Sequence, residues 1–408
     1  DTVRLGPTDN MMSLLPYWHS YALVGEVVLG VMAGYQISIP KDKKDFARNI
    51  GVYQPTVVLV VPRIANALMA GILRKVADKS SGARAFFRMA MNNARPVVHA
   101  PSAGGFRFLR QMAHWLVYDP LLFRKVRAAF GGRLRFLMSG GAPLDIELQI
   151  FFQSIGVPLF QGYGLTEATP IISTNSDELN RMGSCGTLLS WTRSEKGGDF
   201  TFRDEQGRLG KNLHGELLVR GDCVMKGYWR HRDDSAKTLE NGWLHTGDVG
   251  FVDKEGYLFL DGRKSNLIVL FGGEKLHPEH VEDAIKMAPL ITEAMVFGDG
   301  CKNVYVAVNV DADKIQAIPE TDRPETLKRL VKERTEHLAP YQRPKDVLVL
   351  PEFSADDGTL TATLKVRRHK VWALHSDLLL EFLRRNNEDT AAGSATALAR
   401  GRVGSGES

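Results

Sequence analysis

"GGRLRFLMSGGAPLDIELQIFFQSIGVPLFQGYG", residues 131–164, is the stretch on which the fold turns. An apolar run, "LRFLMS", ends in the paired glycines Gly140 and Gly141, and a helical period follows in "DIELQIFFQS". A second apolar run, "VPLF", then ends in the glycine-rich "QGYG". Strand, glycine loop, helix, strand and loop in that order predict a largely parallel α/β sheet.

Working outward, residues 11–40 run from an apolar segment into "GYQISIP", and "VVLVVP" within 52–63 is a β-branched run that predicts a strand buried on both faces. "RIANALMAGILRKVAD" carries a helical period. "YALVGEVVLGVMAG" at 21–34 is apolar but interrupted by Glu26, and falls short of the ~20 residues that cross a bilayer; it predicts a buried helix. From about residue 198 the texture changes to short strands and turns, as in "GELLVRG" and "GYLFLDGR". Residues 281–380 show a smaller α/β pattern, with strands at "EAMVFGD" and "VYVAVNV" and a helix at "ETLKRLVKERTEHL". A boundary is therefore expected near "LDGRKSN", 260–266, giving a large domain over 1–261, a connection over 262–266 and a small domain over 267–385. Residues 386–408, rich in Gly, Ala and Ser, are expected to form a disordered tail.

The 408 residues are 44% apolar and 24% charged, an ordinary globular balance. Cys185, Cys223 and Cys301 lie far apart with no CxxC pair, which signals neither a disulfide framework nor structural zinc and fits a reducing intracellular compartment, cytoplasmic or organellar. Residue 1 is Asp rather than Met, so N-terminal targeting is not visible. The net charge of +5 is uneven: ten Lys or Arg and a single acid, Asp119, fall between Arg84 and Arg135. Such a run suits an anionic lipid surface or a polyphosphate ligand, and equally a solvated helical face. Nucleic acid is not expected, because no nucleic-acid module accompanies the charge.

Neither GxxxxGK[ST] nor GxSxG occurs, which removes the simple P-loop and α/β-hydrolase readings. "HPEH" at 277–280 lacks the further ligands of a metal site. In "QGYGLTEATP", 161–170, a strand ends in a glycine-rich bend of the kind that holds ligands at the carboxyl edge of a parallel sheet. Gly162 and Gly164 would let a ligand approach, Tyr163 offers a flat face, Thr166 a hydroxyl and Glu167 a hard oxygen suited to a nucleotide-borne Mg²⁺. The same stretch read alone is equally a turn.

"LPYWH" (15–19), "SGGAPL" (139–144), "QGYGLTE" (161–167), "GELLVRGDCVMKGYW" (215–229), "GWLHTGDVG" (242–250), "GYLFLDGRKSNLIVLFGGEKLHPEHVE" (256–282) and "LTATLKVRR" (360–368) occur in this order. Together they resemble the adenylate-forming (ANL) superfamily of acyl-CoA synthetases, acyl-protein ligases and luciferases, and most of all its long-chain fatty acyl-CoA and acyl-carrier-protein synthetase branch. The resemblance covers residues 11–372 and implies the ANL fold, with a small mobile α+β C-terminal domain. It implies attack of a fatty acid on the α-phosphate of ATP with Mg²⁺, then transfer of the acyl group to coenzyme A. The alternatives are acyl carrier protein as acceptor, docking on the basic run at Arg124, Lys125 and Arg127, and a non-catalytic nucleotide- or acyl-binding remnant. Peripheral membrane contact through the basic run is also compatible.

By resemblance, Glu167 would hold Mg²⁺ and Thr166 the phosphate. Gly140, Gly141, Ala142, Pro143, Tyr163 and Gly164 would frame the nucleotide base. Asp248 would accept from the ribose hydroxyls, Arg263 would add a charged contact, Lys365 would contact the reacting carboxylate and α-phosphate, and His19 would lie beside the acyl carboxylate. Gly272 and Gly273 would line the path of the thiol arm, and the hinge would fall at Arg263, Lys264 and Ser265. Each has a structural alternative: Asp248 as a turn cap, Lys365 as a surface cation, His19 as a core histidine, the glycine pair as a turn. The chain departs from the family at Ser265, where Asp or Lys is usual, and in lacking a phosphate loop of the form [ST]SG[ST]TGxPK. It is therefore expected to be part of a longer enzyme or a natural truncation, and poor at adenylation by itself.

Overall fold

The computed structural model describes residues 3–99, 112–193, 198–361 and 365–388. The chain forms two compact units, one of Asp1–Lys226, Leu239–Thr246 and Phe251–Leu260, the other of Gly227–Thr238, Gly247–Gly250 and Asp261–Ser408. The division is not a single cut: two short segments upstream of "LDGRKSN" group with the second unit.

The first unit is built on a seven-stranded sheet. In chain order its strands are β1 (Asn10–Met12), β2 (Gln36–Ser38), β3 (Val57–Val60), β4 (Phe136–Ser139), β5 (Leu159–Tyr163), β6 (Ser173–Thr174) and β7 (Thr187–Leu188). Their spatial order is β2-β1-β3-β4-β5-β6-β7. The first five pair in parallel, and β6 and β7 close the edge antiparallel. β3 lies in the interior with all four residues buried, as its unbroken Val/Leu run requires. The helix Ile146–Ser154 joins β4 to β5 and starts at Asp145, whose carboxylate accepts the Glu147 N–H.

Residues 20–33 do form a helix, with a π-helical turn at Leu23–Val28, but it is not buried throughout: Val31 and Met32 are 81% and 77% exposed. One face packs on the sheet and carries the fully buried Glu26. The apolar residues on the other face meet solvent, an outcome that a composition apolar all round does not foretell.

A second sheet follows, of β8 (Asp199–Arg203), β9 (Leu209–Gly210), β10 (Gly215–Arg220), β11 (Leu239–Glu240), β12 (Trp243–Val252) and β13 (Leu258–Arg263), ordered β11-β12-β10-β8-β9 with β13 on β12. Its core joins Phe202, Leu217, Leu244 and Leu258 to Ile172 and Leu188.

In the second unit the hairpin β14 (Ile268–Val269) and β15 (Lys275–Leu276) precedes the helix Pro278–Lys286. A three-stranded sheet of β16 (Ile291–Phe297), β17 (Tyr305–Val310) and β18 (Val347–Val349) follows, with the helix Arg323–Thr335 and the C-terminal helix Arg368–Arg385. One cluster packs Val281, Ile285, Val306 and Val331; another packs Met295, Tyr305, Val371 and Leu379. The expected tail begins too early at 386. Asn386–Glu388 are part of the folded unit, with Glu388 buried and accepting from the Lys302 N–H, Asn303 and the Tyr305 hydroxyl. The rest of that tail, 389–408, lies outside the described residues, as do 100–111 of the basic run and 362–364 of "LTATLKVRR".

Candidate active site

Because β1, β4 and β5 run parallel, the loops that follow them leave from one edge of the sheet, where α/β folds place ligands. That edge carries His19, Gly140, Gly141, Ala142, Pro143, Tyr163, Gly164, Thr166 and Glu167. His19 is half-buried, and its Nδ1 accepts the Tyr21 N–H at 3.2 Å, capping the helix that starts at Ser20. With Nδ1 as acceptor, the neutral ring carries its proton on Nε2. Ser20 Oγ lies 3.0 Å from Thr166 Oγ1 and so ties the "LPYWH" segment to the "GLTE" bend.

Tyr21 lies beneath the glycine pair. Its hydroxyl donates to the Met138 carbonyl at 2.9 Å, and a Cβ added at Gly140 would come within 3.0 Å of its ring. Gly141 needs to be glycine for a different reason, its φ of +81°. Gly164 corrects the reading of this bend. A Cβ there would sit 1.6 Å from the Pro170 carbonyl oxygen, so its bareness is spent on the chain's own return rather than on ligand approach. The side chain of Gly162's neighbour Tyr163 is half-buried and packs on the core of the second sheet. Thr166 and Glu167 open a 3₁₀ turn; the Glu167 carbonyl accepts the Met225 N–H at 2.8 Å, and Thr169, held at φ +47°, donates its hydroxyl to the Cys223 carbonyl.

In the second unit, Asp248 on β12 is 8% exposed, and its Oδ1 lies 2.9 Å from Nε of Arg263 at the end of β13. Lys365 belongs to the same cluster. Although exposed by surface area, its ammonium is pulled below the usual lysine range by surrounding protein and by the Arg263 charge, with Asp248 opposing. The structure thus gathers one acceptor-only carboxylate and two cations.

The residues expected to form the hinge, Arg263, Lys264 and Ser265, lead into a 3₁₀ turn whose Asn266 donates to Glu279 Oε1 at 2.6 Å. Behind them a Cβ on Gly262, at φ +154°, would meet Glu279 Oε2 at 2.5 Å. Gly272 and Gly273 form the exposed turn of the β14–β15 hairpin, Gly273 with φ +89° and its N–H on the Leu270 carbonyl. His277 precedes a helix whose first residue is Pro278, and among the described residues no group of three or more His, Cys, Asp or Glu is set to hold a metal. At the bend, Glu167 offers one carboxylate and Thr166 one hydroxyl.

Ser20 and Tyr21 are residues around this edge that sequence reasoning did not single out, and Glu26 is read there only as an interruption of an apolar run. No spacing rule marks them: Ser20 meets Thr166 from 146 positions away. Burial pushes the Glu26 pKa up to about 7, against the pull of the Ser13 hydroxyl and Leu14 amide.

Comparison with known proteins identifies the family and the fold. The AMP-binding enzyme family matches residues 1–229, and the AMP-binding enzyme C-terminal domain matches 265–385. The long-chain-fatty-acid–CoA ligase FadD15 of Mycobacterium bovis is 30% identical over 352 residues, covering 82% of this chain and 56% of the relative. Long chain acyl-CoA synthetase 7, peroxisomal, of Arabidopsis thaliana is 29% identical, over 91% and 55%. The chloroplastic long-chain-fatty-acid–[acyl-carrier-protein] ligase of the same plant is 28% identical, over 90% and 55%. The chain spans a little over half the length of these relatives. Among solved structures, the anthranilate CoA ligase AuaEII with anthranoyl-AMP has a TM-score of 0.65 at 20% identity, over 92% of this chain and 61% of that one. O-succinylbenzoate coenzyme A synthetase of Bacillus subtilis with AMP has 0.59 at 22%, over 89% and 60%. These structures share the fold, a large α/β domain with a parallel sheet followed by a C-terminal domain. The chain therefore belongs to the AMP-binding enzyme family of the adenylate-forming (ANL) superfamily.

Proposed function

We propose that the chain carries adenylation and acyl-transfer residues of a long-chain fatty acid:CoA ligase, AMP-forming. The observation that carries this is the cluster of Asp248, Arg263 and Lys365, together with the family match and relatives named as fatty-acid ligases. In the first unit, Thr166 and Glu167 would bind the α-phosphate and its Mg²⁺, which neutralises charge gathering on the phosphate oxygens. Gly140, Gly141, Ala142, Pro143 and Tyr163 would border the adenine, with Gly164 shaping the bend that carries Tyr163. His19 would present Nε2–H to the acyl carboxylate or carbonyl oxygen. In the second unit, Asp248 would accept from the ribose hydroxyls and Arg263 would hold it in place. Lys365 would supply a charged contact to the reacting carboxylate and α-phosphate. Gly272 and Gly273 would flank the thiol arm of coenzyme A, and residues 263–265 would act as the hinge between the half-reactions.

The same chemistry serves acyl carrier protein as acceptor, a reading favoured by the chloroplastic relative. One cation of the basic run is already engaged and so is not free to dock it: Arg127 is bound to both Asp119 oxygens, at 2.6 and 2.9 Å, and to the Ile155 carbonyl.

The test supplies fatty acyl and aryl adenylates to the 408-residue chain with coenzyme A or acyl carrier protein. Palmitoyl adenylate should yield palmitoyl thioester and AMP, and anthraniloyl adenylate should react at least about 100-fold more slowly. Preference for the aryl adenylate would refute the fatty-acid assignment, and the acceptor consumed identifies coenzyme A or carrier protein. Lys365 is assigned to adenylation, so Lys365→Ala should leave this transfer nearly unchanged.

A further inference from the structure

The π-helix His114–Phe123, which continues into the short helix Arg124–Ala128, has two interleaved faces. His114, Tyr118 and Phe123 point inward: the His114 and Phe123 rings are 5.4 Å apart, and Tyr118 meets Phe86 of the helix Ser81–His99 at 5.5 Å. Met112, Leu116, Val117 and Leu121 follow the other face at spacings of four and five, which i→i+5 bonding brings into one stripe. They are 41%, 67%, 41% and 57% exposed. One turn on, the stripe ends in exposed Arg124 and Lys125. The packed helix Ser81–His99 exposes Arg84, Arg88 and Met89.

Four large exposed apolar side chains beside exposed cations suit a partner that is apolar and anionic at once. The acid within this run, Asp119, is consumed by Arg127, so the exposed charge that remains there is positive. Beside the stripe a cleft of about 500 Å³, lined by Asp119, Arg124, Arg127, Ala128 and Gly132, is wide enough for a phosphate headgroup. Among the described residues no helix is long and apolar enough to cross a membrane, so contact through these helices would be from the surface.

We infer that this face, with Leu116, Val117 and Leu121 inserted and Arg124 and Lys125 at the headgroups, docks the chain on an anionic bilayer surface. The geometry is that of an interfacial helix, where buried apolar area and attraction to acidic lipid act together. The inference extends the proposed function, since a fatty acid partitions into the same bilayer, but its test involves no catalysis and so fails or succeeds independently.

The 408-residue chain is sedimented with phosphatidylcholine vesicles with and without about a third phosphatidylserine, at low and high salt. Binding should require the acidic lipid and weaken with salt. Arg124→Gln with Lys125→Gln, two surface changes that leave the core untouched, should weaken it about 30-fold, given roughly 1 kcal/mol for each basic residue near the membrane. Leu116→Ser with Leu121→Ser should weaken it about as much, with circular dichroism confirming the fold. Equal sedimentation with neutral and acidic vesicles would overturn the inference. So would unchanged binding by the Arg124/Lys125 variant, or capture of purified acyl carrier protein by this face in place of vesicles.

Discussion

Glu26 shows how one residue links folding to pH. Its carboxyl is fully buried on the π-helical turn, and burial raises its pKa from 4.5 to about 7 against the pull of the Ser13 hydroxyl and Leu14 amide. A raised acid pKa means that the neutral form is the one the fold favours. The contribution is therefore fully present below about pH 4.5 and lost as pH rises through about 7. Between pH 5 and pH 8 the native protein should lose roughly 2 kcal/mol through this group, and Glu26→Gln should remove that slope and be the more stable at pH 8. Urea unfolding of both proteins at the two pH values decides it; parallel curves would show that the carboxyl is solvated. Gly164 is the opposite kind of residue, sensitive to shape alone. Gly164→Ala places a methyl group against the Pro170 carbonyl and should cost about 2 kcal/mol or more, read as a lower denaturation midpoint.

Elements differ in how far the sequence announces them. β3 is legible from "VVLVVP" and the 146–154 helix from the period between two glycine loops, because burial on both faces and helical spacing leave direct marks. The π-helical turn at 23–28 is not, since i→i+5 bonding has no residue signature and the run is apolar on every side. Nor is the anchoring of 386–388: Gly, Ala and Ser dominate residues 391–408, and Glu388 has no apolar neighbour in sequence to mark it as buried. Three residues past the C-terminal helix, it accepts hydrogen bonds from Lys302, Asn303 and Tyr305 at 2.8, 3.1 and 2.9 Å. These bonds overcome the opposing effect of burial and hold its pKa down. Glu388→Ala should cost about 2 kcal/mol. By contrast, Gly71, mid-helix in Pro62–Ala77 with nothing within 4 Å of its missing Cβ, is free to change, and Gly71→Ala should stabilise by up to about 1 kcal/mol.

At the scale of the molecule, the order of seven short motifs points to the family, and the family matches over 1–229 and 265–385 agree with it. Contacts made in space are what the sequence withholds. The Ser20–Thr166 link and Tyr21 beneath Gly140 join segments more than a hundred residues apart, and segments 227–238 and 247–250 group with the second unit. Asp248 and Arg263 each stand in a motif, whereas the 2.9 Å contact between them arises only from β13 lying on β12.

The most direct measurement compares two routes to the same thioester in this 408-residue chain: palmitoyl adenylate with coenzyme A, and palmitate with Mg·ATP and coenzyme A. The first route does not use the β- and γ-phosphates that a [ST]SG[ST]TGxPK loop would hold, and the second does. The account predicts palmitoyl-CoA and AMP from the adenylate, at least about 100-fold faster than from ATP. Equal rates would contradict the role given to the missing loop, and no thioester from the adenylate would contradict the assignment of acyl-transfer residues to the chain.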